Sequence, residues 1–127
     1  MSEPVFLEVE QVLVLHERSL QAYVGSSGIR DQGLVESAVF QPRNDCFYAG
    51  ADLFGIAAAY CFHIAEAQAF LDGNKRTAIS AALTFLEGNG ITTITKTDVL
   101  YEAMIAIAEK RMTKSELTQL LRELFAS

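Results

Sequence analysis

"ADLFGIAAAYCFHIAEAQAFLDGNKRTA", residues 51–78, is the stretch whose reading decides the fold. From Ala51 to Ala67 nearly every residue is Ala, Leu, Ile, Phe or Tyr. A helix that is apolar all round is the buried centre of its domain, so this run predicts a central helix. Asp52 stands where a side chain caps such a helix and favours its positive end. "QAFLDG" interrupts the pattern, and "NKRTAISAALTFLEGNG" resumes it. Ala78, Ala81, Ala82, Phe85 and Leu86 then form the inward face of a second helix, which Gly88-Asn89-Gly90 closes with a left-handed stop.

Outward from this pair, residues 7–23 read as a helix, with Leu7, Val12, Leu13, Leu15, Leu20 and Tyr23 along one stripe. "VGSSGIRDQG", residues 24–33, is loop material. "LVESAVF" is a brief helix stopped by Pro42 after Gln41, and "QPRNDCFYAGAD" reads as a surface connection. Beyond the central pair, "ITTIT" is β-branched and short, an extended segment or edge strand. Asp98 is placed as the N-cap of a helix through about Arg111. Thr113 and Glu116 form a capping-box pattern for a last helix through Leu124. The expectation is an all-α fold, one domain over residues 1–127.

The chain has 127 residues, enough for one core that buries roughly two-thirds of the unfolded chain's surface. Its net charge of −6 and pI near 4.8 argue against a broad nucleic-acid surface, because phosphate backbones attract Lys and Arg. A local cationic pocket remains compatible with that balance. Cys46 and Cys61 make no disulfide framework, and no Cys or His pairs stand at zinc spacing. The first residues carry acids where a signal peptide carries bases. The longest apolar stretch, "LFGIAAAYCF", is too short to span a bilayer. A cytoplasmic protein with no membrane or nucleic-acid partner is expected.

The chemistry gathers at residues 68–76. A helix that opens at residue 74 or 75 presents backbone N–H groups without partners, backed by its positive end, to an anion such as phosphate. Gly73 permits a sharp turn and a close approach to the backbone. Lys75 supplies a point cation, and Arg76 a planar fork that grips phosphate with two bonds. Asp72 fits beside an anion where magnesium stands between them, since this ion takes one or two carboxylates plus phosphate oxygens. Together these make a nucleotide-phosphate site. It is not a Walker A loop, because Asn74 separates Gly73 from Lys75 and a helix precedes the turn. A plainer reading makes Asp72 a helix-start charge, Asn74 a cap, and Lys75 and Arg76 a solvated face.

"FLDGNKRTA" resembles the core of the Fic/Doc superfamily, specifically its Doc (death-on-curing) branch. The Doc pattern is His-x-Phe-x-(Asp/Asn)-(Ala/Gly)-Asn-Lys-Arg, and Phe70, Asp72, Gly73, Asn74, Lys75 and Arg76 match it in register. "TAISAALTFLEGNG" and "GIRDQGLVESAVFQP" are similar to the same family, so the likeness covers roughly residues 12–90. The resemblance implies a compact Fic-fold helical bundle with the motif loop between two central helices. It implies ATP and magnesium as cofactors, and transfer of a phosphoryl or nucleotidyl group to a protein hydroxyl. Doc proteins phosphorylate elongation factor Tu and are silenced by a Phd-type antitoxin. By position, Asp72 would hold magnesium, Gly73 and Asn74 would shape the anion nest, Lys75 and Arg76 would hold phosphates, and Phe70 would point inward and pin the loop.

The family's motif begins with His, the presumed general base, and this chain has Gln68 there. Gln forms hydrogen bonds but takes no proton near neutral pH. Losing a general base costs about two to four orders of magnitude in rate, although positioning and electrostatics carry much of phosphoryl transfer. His63 faces a different side of its helix from Gln68 and reads as a core residue. Glu66 reads as solvated and His16 as structural or exposed, so neither replaces the base. Two functional classes follow: a weakened Doc-like transferase with Gln68 and Asp72 at its reacting centre, or a disarmed homologue that binds nucleotide or antitoxin.

Overall fold

In the computed structural model, residues 3–22, 28–93 and 97–126 are described, and every element among them is helical. The order is α1 (Val9–Ala22), α2 (Gln32–Ala49), α3 (Leu53–Ala67), α4 (Asn74–Gly88), α5 (Thr97–Ala108) and α6 (Lys114–Phe125). The expected all-α architecture is present. Tyr23, residues 24–27 and the last two residues of "ITTIT" lie outside the described residues.

α3 is the buried centre that its composition predicts. Ile56 to Cys61, Ile64 and Ala65 are all buried, and α2, α4, α5 and α6 pack around the helix. Alanines on both α3 and α4 let the two backbones approach closely. Between them, Tyr60 meets Phe85 with ring centroids 5.3 Å apart. The Tyr60 hydroxyl is not left orphaned, because it accepts the Leu7 N–H at 2.8 Å. Asp52 caps α3 through the Gly55 N–H, and Thr113 and Glu116 close a reciprocal capping box on α6. Both caps satisfy donors that a helix start leaves without internal partners.

Two local expectations are corrected, the stop at Pro42 and the N-cap at Asp98. Pro42 does not stop α2, which runs on to Ala49, so residues 41–49 are helix and not a surface connection. Proline removes one internal hydrogen bond, but here its ring is buried in the core, and that burial offsets the loss. α2 ends instead at Gly50, in the left-handed conformation with φ 68°. Asp98 is not an N-cap; it lies inside the first turn of α5, and α5 ends at Ala108, where Lys110 turns left-handed with φ 59°. At the end of α4, Asn89 caps with φ −112° and Gly90 supplies the expected left-handed turn. Residues 91–93, the described part of "ITTIT", form no strand, which leaves the extended-segment alternative.

No helix among the described residues is long and apolar enough to cross a membrane. Cys46 and Cys61 are both free thiols.

Candidate functional site

The turn from α3 to α4 is built by unusual backbone. Gln68 caps α3 in the left-handed region at φ 48°, ψ 45°, a conformation that non-glycine residues seldom adopt. A strap of residues 28–31 holds the turn in place. The Arg30 and Asp31 N–H groups donate to the Ala69 carbonyl at 2.7 and 3.1 Å, and Leu71 N–H donates to the Gly28 carbonyl at 3.1 Å. Ile29 and Phe70 form an isolated antiparallel bridge. The Arg30 guanidinium donates to the Gln68 carbonyl, so the backbone polar groups of the turn are largely accounted for.

Three side chains fix the rest of the loop. Phe70 is only 2% exposed, as the inward position predicts. Asn74 spans it, taking the Phe70 N–H on Oδ1 at 3.1 Å and donating from Nδ2 to the Phe70 carbonyl at 3.0 Å. His16 comes from α1, with its ring stacked on Phe70. Its Nε2 lies 2.7 Å from the Asp72 carbonyl, and a carbonyl only accepts, so Nε2 carries the proton. Sequence reasoning placed His16 as structural or exposed; it is buried and belongs to the scaffold of the motif. Nothing in its local sequence signals this, because the partner lies on a distant segment.

Gly73 is the N-cap of α4 at φ 77°. A Cβ there would stand 3.1 Å from Ser19 Oγ and 3.5 Å from the His16 ring, so both backbone conformation and space favour glycine. It offers no side-chain cap, and the first three N–H groups of α4 have no acceptor inside the helix. Asp72 Oδ1 accepts the Gly73 N–H at 2.8 Å.

These constraints bring Gln68, Asp72, Gly73, Asn74, Lys75 and Arg76 onto one cleft of about 140 Å³. All six residues singled out from the sequence line it. Lys75 and Arg76 set two cations against the single carboxylate of Asp72, a local positive balance in an acidic chain. Tyr101 of α5 also lines the cleft, and sequence reading missed it, since nothing local reports how α5 docks beside α4.

His63 and Glu66 stand apart from the cleft lining. Glu66 is exposed, as expected. His63 is only partly buried, and its Nε2 lies 3.3 Å from Lys114 Nζ, which in turn pairs with Asp45 at 2.6 Å. Burial and the Lys114 charge lower its pKa against the pull of Asp45 and Glu66. It is thus a polar joint between α2, α3 and α6, rather than an apolar core residue.

Similarity to known proteins agrees with this geometry. The model of the Fic/DOC family matches residues 6–86. The protein kinase doc of Escherichia phage P1 is 30% identical over 119 residues, which cover 93% of this chain and 94% of that protein. Toxin Doc of Mycolicibacterium smegmatis (strain ATCC 700084 / mc(2)155) is 40% identical over 80 residues, 61% of this chain and 62% of that protein. With the helical fold and the motif turn in place, the chain belongs to the Fic/DOC family, on its Doc branch.

Proposed function

We propose that the protein is a Doc-like toxin that transfers a phosphoryl or nucleotidyl group from ATP, with magnesium, to a protein hydroxyl. The observation that carries this reading is the convergence of Lys75, Arg76 and the start of α4, whose N-cap is a glycine, on the cleft that also holds Asp72. Backbone N–H groups, a helix end and two cations are the chemistry that grips a phosphate chain. Among the described residues no three His, Cys, Asp or Glu side chains gather as a metal cage. Magnesium needs none when phosphate oxygens complete its shell, so Asp72 as a lone carboxylate fits it.

In this reading, Lys75 and Arg76 orient the phosphates and stabilise the negative charge that builds on the transferred group. The nest at Gly73 and Asn74 holds the phosphate chain against the turn, and Asp72 holds the metal. ATP supplies the group to be transferred, and magnesium neutralises its charge. Gln68 orients the target hydroxyl by hydrogen bonding but takes no proton, so transfer is slow compared with a site that has a base.

The name of the phage P1 relative, a protein kinase, supports phosphoryl over nucleotidyl transfer. The toxin name of the second relative supports a toxin–antitoxin pair and hence a Phd-type antitoxin partner. Elongation factor Tu is the target that the family resemblance points to.

Gln68 also favours a second reading, a disarmed homologue that retains nucleotide or antitoxin binding without transfer. One experiment separates them. Bacterial lysate is incubated with the protein and ATP labelled on the γ or the α phosphate. Label from the native chain supports the toxin, and the labelled position names the group transferred. Label from Gln68→His alone supports the disarmed form. Failure of ATP to bind, with Lys75→Ala and Arg76→Ala indistinguishable from the parent chain, would overturn the transferase and leave only the antitoxin-binding form of the second reading.

A further inference from the structure

The cleft at the motif turn, about 140 Å³, opens onto the surface beside the exposed Gln68, Leu71 and Tyr101, so a ligand whose phosphates sit in the nest extends along its walls. Those walls are polar around the anion nest and become apolar at Leu71 and Tyr101, which are 57% and 40% exposed.

Tyr101 is the one with a flat face. It projects from α5, whose neighbouring Leu100, Met104 and Ile107 are buried in the core. The helix is therefore anchored by those residues, and the half-exposed ring does not need to serve the core. Aromatic rings that stand beside a cationic groove form stacking surfaces for nucleobases, because every base presents a π face. Tyr101 lies beyond residues 6–86, which the family model matches, and within the longer stretch aligned with the phage P1 protein kinase doc.

We infer that Tyr101 is the stacking platform for the base of the bound nucleotide, so that the cleft selects a base-bearing polyphosphate over a bare one. The inference rests on the nucleotide reading of the cleft. Lys75, Arg76 and the start of α4 hold the phosphates, and Tyr101 adds affinity only when a base is attached.

The test compares ATP with inorganic tripolyphosphate, each with magnesium chloride, by calorimetry on the full chain. The variants are Tyr101→Phe, Tyr101→Leu and Tyr101→Ala, with far-UV circular dichroism to confirm folding. Stacking on an aromatic ring is worth a loss of about five- to hundredfold on truncation. Tyr101→Ala and Tyr101→Leu are expected to weaken ATP by that factor and to leave tripolyphosphate unchanged, while Tyr101→Phe binds both like the parent chain. Unchanged ATP affinity in Tyr101→Ala would overturn the inference. So would a parallel loss of both ligands, which would make Tyr101 a wall of the anion nest. Binding of tripolyphosphate as tight as ATP by the parent chain would overturn it while sparing the anion site. If the parent chain binds neither, the nucleotide reading falls, and the platform falls with it.

Discussion

The His16 ring lies nearly flat on the Phe70 ring, with centroids 3.9 Å apart and planes 13° from parallel. One side chain thereby does two jobs for the motif turn, because the same imidazole donates from Nε2 to the Asp72 carbonyl. α1 thus reaches the turn through packing and through a hydrogen bond. His16→Ala deletes both and is expected to cost about 2–4 kcal/mol, from the cavity and the unpaired carbonyl. His16→Phe keeps an aromatic ring but no donor and should cost about 1–2 kcal/mol. Urea unfolding measures both. Equal losses would mean that the stacking contributes nothing.

How much of this was legible beforehand follows from how far apart the interacting residues lie. α3, the Asp52 cap and the Thr113–Glu116 capping box are local patterns, and each appears where the spacing puts it. The six cleft residues lie within nine positions, so their convergence was readable too. Pro42 misled because the rule that proline ends helices concerns the backbone alone, whereas its buried ring depends on tertiary packing. His16, Arg30 and Tyr101 each reach the turn from a distant segment. Their contacts depend on how α1, the strap and α5 dock, which no local periodicity encodes.

The left-handed backbone at Gln68 bears on whether a base can be restored. His is among the residue types enriched in that conformation, and Gln68 is exposed, so Gln68→His should fold with no more strain than the parent chain. If the site is otherwise intact, transfer of labelled phosphate should rise by about 10²–10⁴-fold. A variant that folds and binds ATP but transfers no faster would show that the missing base is not what limits the reaction.

His63 makes stability depend on pH. The fold lowers its pKa below the ordinary 6.5, first through burial and then through the Lys114 ammonium, while Asp45 and Glu66 oppose. The unfolded chain therefore binds more protons just below pH 6.5 than the native one. The stability linked to His63 is complete above pH 6.5 and is lost as pH falls toward the lowered native value. His63→Gln keeps an acceptor for Lys114 and removes the titration. Its unfolding free energy between pH 7.5 and 5 should fall less steeply than that of the parent chain. Parallel curves would show that His63 is not the group responsible.

Asn74 offers the sharpest separation of scaffold from ligand chemistry. Its amide satisfies both the N–H and the carbonyl of Phe70, and Phe70 is the buried residue that pins the turn. Asn74→Ala leaves both backbone groups without that partner, an expected loss of about 2–3 kcal/mol for a part-buried pair. Asn74→Asp keeps the acceptor for the N–H but turns a carboxylate oxygen toward the Phe70 carbonyl, where no donor remains. It also adds a negative charge at the mouth of a cleft proposed to hold phosphate. Its destabilisation should be comparable to or smaller than that of Asn74→Ala, because helix starts favour acidic side chains, yet its affinity for ATP should fall further. Thermal unfolding and calorimetry on the two variants give the comparison. If ATP affinity simply follows stability in both, Asn74 acts only as scaffold, and the anion nest rests on Gly73, Lys75 and Arg76.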